Sequence, residues 1–244
     1  MDTLFINAKY DGKVELDNIT LSYCKKYKKI AVYTSVQFTG KIDKVISQLK
    51  EAGVEVITSR PDRAFEDSQL LGCDVYYDNL KLKNDPDAFL YIGDGQFHPQ
   101  SLALAQRNNK VYKEVICFDP IAMKKSLIDI KDVKDLLKKY RGSLIKFLAF
   151  ETIGVIISTK PGQEKYNEGK KLIKKYPDKN IYFFLDNNID VTRFEDFPYI
   201  KSWVNTACPR IGFDEINTTP IPILNIRDAL EAKEILSKKN FLIA

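Results

Sequence analysis

The sequence predicts an α/β architecture of two similar doubly wound domains, with parallel sheets flanked by helices, and three observations carry that expectation. Short apolar, β-branched runs recur along the chain. Between them lie amphipathic segments whose apolar residues recur three and four apart, the spacing of one helical face. The order of these pieces then runs through twice, and strands alternating with helices call for parallel sheets covered on both faces.

In the first half, the expected strands are IAVYT at 30–34, VEVIT at 54–58, AFLYIG at 88–93 and EVICFD at 114–119. KIDKVISQLKEAG at 41–53 and QSLALAQRNNK at 100–110 are the helices between them, and LSYC places Cys24 in the last turn of another. The long charged stretch IDIKDVKDLLKKYRGSLIKFLAFE is expected as a helix that links the two sheets. In the second half the strands are GVIIST at 154–159, NIYFFLD at 180–186, SWVNTA at 202–207 and IPILN at 221–225. Their helices are QEKYNEGKKLIKKY at 163–176 and NIRDALEAKEILSKK at 225–239. Domains over 1–122 and 123–244 follow, each of about 120 residues, near the usual domain size. Ligands of such sheets lie beyond the carboxyl ends of the strands.

The composition narrows the function. At 244 residues and 44% apolar, the chain can bury a sizeable core. FLAFETIGVIIST is the richest apolar stretch, yet it carries Glu151 and threonines and falls short of the roughly 18 residues of a membrane span. MDTLFINAKYDGK lacks the basic and long apolar regions of a secretory signal, so a cytoplasmic location is expected. The net charge of +5 comes from lysines in KKYKK, DLLKKY and KKLIKKY, beside apolar residues at helical spacing. These read as solvated helix faces rather than a nucleic-acid surface, which would add arginines and exposed aromatics. Cysteines at 24, 73, 117 and 208 are too few and too widely spaced for a disulfide scaffold, and no pair has zinc-ribbon spacing.

Chemistry-bearing residues fall at strand ends. YIGDGQFHP sets Gly93, Asp94, Gly95 and the sole histidine, His98, where a strand empties into a loop before a helix. Glycines there admit a ligand to backbone N–H groups, and a lone histidine excludes a multi-histidine zinc site within the chain. ISTKPGQ supplies Ser158, Thr159, Lys160, Gly162 and Gln163 without the spacing of a phosphate-binding P-loop. TSVQF supplies Gln37. In VNTACPRIGFD, Pro209 stops the strand and fixes Cys208 at its mouth beside Arg210. Cys73 in LLGCDVYYDN and Cys208 are either packed core thiols or two ligands of one metal centre. Cys117 falls inside a strand and Cys24 at a helix end, and both read as core.

Taken in order, TSVQ, LLGCD, YIGDGQFHP, CFDP, ISTKPGQ and VNTACPRIGFD resemble the diphthamide synthesis family, the 2-(3-amino-3-carboxypropyl)histidine synthases in their archaeal form. The resemblance implies that Cys73 and Cys208 match two of the three cysteines with which that family holds a 4Fe-4S cluster, a set that leaves one iron open. It implies a non-canonical radical reaction. S-Adenosylmethionine binds at the open iron, and one electron from the reduced cluster splits the bond to the aminocarboxypropyl carbon. The resulting radical adds to the imidazole C2 of a histidine in translation elongation factor 2, with methylthioadenosine as by-product. Gln37, Asp94, His98, Ser158, Thr159, Lys160, Gly162, Gln163 and Arg210 are then candidates for the cleft that receives S-adenosylmethionine. Gly162 would give backbone access, and Lys160 or Arg210 would meet the methionine carboxylate.

Family members have three such domains, and this chain resembles the second and third. A partner chain is therefore expected to supply the first domain and the third cysteine, either a separate polypeptide or a paralogue, with no membrane and no direct nucleic-acid contact. Two other functions stay open: a non-catalytic or electron-relay partner subunit, and a cluster-free small-molecule-binding relative.

Overall fold

In the computed structural model, residues 8–238, with Leu4 and Ile6, are described. The chain divides into two compact units, Met1–Arg107 with Val111–Val133, and Lys134–Ala244 with Asn108–Lys110.

The first unit is built on β1 (Lys29–Thr34), β2 (Glu55–Ile57), β3 (Ala88–Ile92), β4 (Val115–Asp119) and β5 (Lys124–Ile128), in the order β2-β1-β3-β4-β5. Every residue of β3, and Ile30 to Tyr33 of β1, is 0% exposed, which is why these runs read as continuously apolar. Helices α1 (Asn18–Cys24), α2 (Asp43–Glu51) and α3 (Phe97–Ala105) complete it. Asp17 caps α1 by accepting from the Thr20 N–H at 2.6 Å, and Pro99 sits in the first turn of α3, where its missing N–H costs nothing. Cys24, Ile30, Val32, Phe38, Val45, Leu49, Leu90, Ile116 and Phe118 share one core.

One strand was not expected. β5 returns antiparallel to β4, from Asp119↔Lys124 to Val115↔Ile128, and closes the edge of the first sheet. Its turn is set by Asp119, whose carboxylate accepts from the Ile121 and Ala122 N–H groups at 2.9 and 3.0 Å. The expected boundary at 122/123 thus falls in the turn before a strand of the first sheet.

The second unit carries β6 (Thr152–Ser158), β7 (Asn180–Asp186), β8 (Ser202–Asn205) and β9 (Ile223–Asn225), all parallel, in the order β7-β6-β8-β9. α4 (Ile130–Ala149), the expected long helix, buries one stripe of Val133, Leu137, Tyr140, Leu144 and Phe147, alternating steps of four and three. Tyr140 stacks on Phe213 at 4.4 Å and Phe147 meets Tyr176 edge-on at 5.3 Å. α5 (Tyr166–Lys175) and α6 (Ile211–Asp214) follow, and the expected helix over 225–239 is split at Glu231 into α7 (Ile226–Leu230) and α8 (Ala232–Ser237). Its last residue, Lys239, and residues 1–3, 5 and 7 of the N-terminal stretch read for a leader lie outside the described residues.

Both sheets therefore place their first four strands in the order second, first, third, fourth. Each has its switch point between its first and third strands, β1/β3 and β6/β8, where the loops leaving the strands diverge and leave a crevice. Among the described residues no helix is long and apolar enough to cross a membrane.

Candidate functional site

Cys73 lies in the connection from β2 to β3, and main-chain bonds at the rim of the first sheet position it. Ser68 to Leu70 run parallel to the end of β1: the Thr34 N–H donates to the Ser68 carbonyl at 2.8 Å, and the Leu70 N–H to the Thr34 carbonyl at 2.9 Å. Cys73 follows three residues later, half-buried, with the Arg63 guanidinium 3.6 Å from its sulfur. Asp74 is buried, and its carboxylate accepts from the Leu71 N–H at 2.8 Å. Burial pushes its pKa up to about 6, against the pull of that bond and of Arg63. Buried Arg107, beyond the end of α3, donates to the Val75 carbonyl and clamps the far side of the loop. Gly72 lets the ring of Phe97 lie against the loop, since a Cβ there would displace it.

That ring opens α3, so the Cys73 loop adjoins the GDGQFH motif. Gly95 has φ +66°, the left-handed turn that lets the chain enter the helix. Asp94 is exposed; His98 is half-buried, parallel to Tyr91 at 6.3 Å and edge-on to Phe97 at 5.4 Å. Half-buried Gln37 follows β1 in a short 3₁₀ turn, across the first switch point from Asp94 and His98.

The second unit repeats the arrangement. After β6, Lys160 to Gln163 form a tight turn closed by the Gln163 N–H on the Lys160 carbonyl at 3.0 Å, with Pro161 second and Gly162 third at φ +76°. Ser158 is buried and accepts from the Lys160 N–H at 3.1 Å, so it shapes the loop, while Thr159 and Lys160 are exposed and Gln163 is half-buried. Across the switch point, after β8, stand half-buried Cys208 and buried Arg210. Lys160 or Arg210 was expected to meet a carboxylate ligand. The Arg210 guanidinium pairs with Asp214 one turn on, Nε 3.0 Å from both carboxylate oxygens and Nη2 2.8 Å from Oδ1. Lys160 is the exposed cation of the two.

The Cys208 loop is held by two residues that the sequence did not single out. Buried Asn205, at the end of β8, donates from Nδ2 to the Cys208 carbonyl at 2.8 Å and to Asn225 Oδ1 at 2.9 Å, and accepts from the Ala207 N–H at 3.0 Å. Asn225, at the end of β9, donates to the Pro209 carbonyl at 2.8 Å, and its N–H reaches the Tyr140 hydroxyl at 3.1 Å. That hydroxyl donates in turn to buried Asp228 at 2.6 Å. Gly212 leaves room, since a Cβ there would lie 2.5 Å from Asn225 Oδ1. The available signal was that SWVN and PILN both end apolar strands in asparagine.

Burial sorts the four thiols. Cys24 is 0% and Cys117 4% exposed, and burial pushes both pKa values up to about 12. Such thiols pack as core, as expected of both. Cys73 and Cys208 are the half-exposed pair, one per unit, each beyond strand ends. Among the described residues no three His, Cys, Asp or Glu side chains gather into a group able to hold a metal ion. Each of the two is an accessible thiol on a braced loop, the donor type that iron–sulfur centres take.

Comparison with known proteins adds to this geometry. A family model described as "Putative diphthamide synthesis protein" matches residues 1–240. The 2-(3-amino-3-carboxypropyl)histidine synthase of Pyrococcus horikoshii is 30% identical over an alignment covering 86% of this chain and 61% of the relative. Subunit 1 of the 2-(3-amino-3-carboxypropyl)histidine synthase of Schizosaccharomyces pombe is 25% identical over 94% of this chain and 53% of its own length. A crystal structure of Dph2 from Pyrococcus horikoshii with a 4Fe-4S cluster is similar at a TM-score of 0.73 and 27% identity, over 91% of this chain and 63% of that one. The chain thus spans 53% to 61% of the length of these two curated relatives.

Proposed function

The chain belongs to the diphthamide synthesis family, and from that premise we propose that it is part of a 2-(3-amino-3-carboxypropyl)histidine synthase. The proposed reaction moves a 3-amino-3-carboxypropyl group from S-adenosylmethionine to C2 of a histidine in translation elongation factor 2. Methylthioadenosine and the displaced C2 proton leave. The observation that carries this reading is the sorting of the thiols, with one accessible cysteine on a braced loop in each unit and the other two sealed in cores. Cys73 and Cys208 would hold two corners of a 4Fe-4S cluster, with the third thiolate from a partner chain. When bound, the cluster would lend the electron that breaks the sulfonium's bond to the aminocarboxypropyl carbon and would take one electron back as the C2 proton leaves.

The chain's own residues bind and orient. Exposed Lys160, presented by the Pro161–Gly162 turn, suits the methionine carboxylate, and exposed Asp94 suits an ammonium group. Arg210, locked to Asp214, braces the turn after Cys208 rather than meeting substrate. Asn205 and Asn225 fix the carbonyls on either side of the Cys208–Pro209 bond, which holds the thiol in one place before any metal arrives.

The test is anaerobic reconstitution with iron and sulfide, alone and with a candidate partner, followed by mass spectrometry of the elongation factor. The expected result is weak iron retention alone, and modification with the partner that disappears on Cys73→Ala or Cys208→Ala. Full modification by the isolated chain overturns the partner requirement. Activity of the pair that survives both substitutions leaves this chain as a supporting subunit.

A further inference from the structure

We propose that a groove beside α4, at the opposite end of the second sheet from Cys208, binds a small organic phosphate. Such a site is independent of the transferase reading. Lys139, in the DLLKKY stretch, is then more than part of a solvated helix face.

One wall is a stripe of α4. Lys139, Gly142, Ser143 and Lys146 recur at steps of three, one and three, so they share a helical face beside the buried stripe. The other wall is the segment 216–222, which follows α6 and leads into the start of β9, and the groove between the two has a volume of about 520 Å³. β8 and β9 run parallel, so this is the end of the sheet away from the loop that carries Cys208. Gly142 sits in the interior of a 20-residue helix, where glycine is the poorest helix former after proline. No packing accounts for it, because a Cβ there would meet nothing within 4 Å. The missing side chain keeps the floor of the groove open.

Every polar side chain that lines the groove can donate. Lys139 reaches across it and donates from Nζ to Asn217 Oδ1 at 2.6 Å, which leaves the Asn217 amide N–H groups for a ligand. Lys146 stands two turns on, about 10 Å along the helix, and pairs with no carboxylate among the described residues. Between the two lysines, Ser143 is 5% exposed, and its hydroxyl has no hydrogen-bond partner among the described residues. A buried hydroxyl is normally satisfied, so one that faces a groove calls for a partner from outside the chain. Thr218 adds an exposed hydroxyl on the second wall. Among the described residues no carboxylate lines the groove, so nothing there repels an anion. With donors on both walls, a tetrahedral phosphate has the advantage: its oxygens accept in every direction, whereas a planar carboxylate aims its two oxygens one way. Lysine ammonium groups serve phosphate as point charges. The volume lies within the range of small-molecule sites, roughly 300–1,000 Å³, well beyond a bare phosphate, and Ile216, Pro220 and Ile221 give an organic part an apolar wall.

Titrating the full chain with phenyl phosphate, followed by phosphorus NMR, tests the groove without iron and without a partner chain. Saturable binding is expected. Inorganic phosphate, which lacks the ring, should bind more weakly, and phenylacetate, with a carboxylate in place of the phosphate, should fail to displace the ligand. Lys146→Gln should weaken binding about tenfold through the lost charge-assisted bond. Gly142→Leu should abolish binding and leave the urea midpoint unchanged or higher, since leucine is the better helix former and no protein atom crowds the position. Loss of binding there is then not loss of fold. No saturable binding, or binding unmoved by both substitutions, overturns the site. Displacement by phenylacetate overturns the choice of phosphate, and inorganic phosphate bound as tightly as phenyl phosphate overturns the organic part. A single-stranded RNA that displaces phenyl phosphate and binds more tightly would make the groove a nucleic-acid surface and overturn the small-ligand reading.

Discussion

Cys24 and Cys117 differ from Cys73 and Cys208 in surroundings, not in side chain, and the consequence is measurable. A thiol whose pKa is pushed to about 12 by burial holds a thiolate fraction of about 10⁻⁴ at pH 8, and the thiolate is the nucleophile. Iodoacetamide at pH 8 should therefore alkylate Cys73 and Cys208 in the folded chain and spare Cys24 and Cys117, with all four modified in denaturant, as peptide mass spectrometry would read. Rapid modification of Cys24 in the native chain would contradict its place in the core. The asparagine pair makes a second prediction at this scale. Asn225→Ala removes the donor to the Pro209 carbonyl and the acceptor for Asn205 Nδ2. Stranding buried polar atoms costs about 1–3 kcal/mol, so urea unfolding should show that loss. The freed Cys208 loop should raise the alkylation rate at Cys208 and leave the rate at Cys73 unchanged.

Among the elements, α4 shows how a helix on the surface of a sheet is fixed by more than its apolar stripe. The Tyr140 hydroxyl accepts from the Asn225 N–H and donates to Asp228, so one phenol joins α4 to β9 and α7 inside the core. Tyr140→Phe keeps the stack on Phe213 but removes the hydroxyl that donates to Asp228 and accepts from the Asn225 N–H, and should cost about 2 kcal/mol in chemical denaturation. A loss below about 0.5 kcal/mol would mean that the phenol adds little to the hold of α4 on β9 and α7. The helix itself was legible in the sequence, because its apolar residues keep one period for five turns. The parallel strands were legible for a different reason: buried on both faces, IAVYT and AFLYIG become unbroken apolar runs. β5 was not. KKSLI is an edge strand with neighbours on one side only, so it carries two lysines and no apolar run. The site was legible at its strand-end motifs and cysteines, which are local in sequence. The clamp from Asn225 to the Cys208 loop joins residues 16 and 20 positions apart, and Lys139 meets Asn217 78 positions on, so no local pattern announced either. The ion pair of Arg210 with Asp214 was also open to reading, since their spacing of one helical turn stands in RIGFD.

At the scale of the molecule, each unit has its own sheet, core and switch point, and where one ends decides whether its sheet is complete. A cut after residue 122 removes β5, and with it five paired positions along β4 and the Ile128 carbonyl that accepts from the Tyr112 hydroxyl at 2.8 Å. It also bares β4, whose Val115, Ile116 and Phe118 are 0% exposed, as a new sheet edge. An apolar strand left at an edge pairs with other chains unless charge or a covering element blocks it, and β5, with Lys124 and Lys125, is that block here. A fragment of residues 1–133 should therefore unfold cooperatively in urea and stay soluble. A fragment of residues 1–122 should lose on the order of 2–5 kcal/mol of stability, summed from lost ladder and side-chain hydrogen bonds at about 1 kcal/mol each, and should aggregate with rising concentration. Equal unfolding midpoints for the two fragments would show that β5 adds nothing to the first sheet. That result would place the division of the chain at 122/123, where the alternation of apolar runs and helical segments had set it.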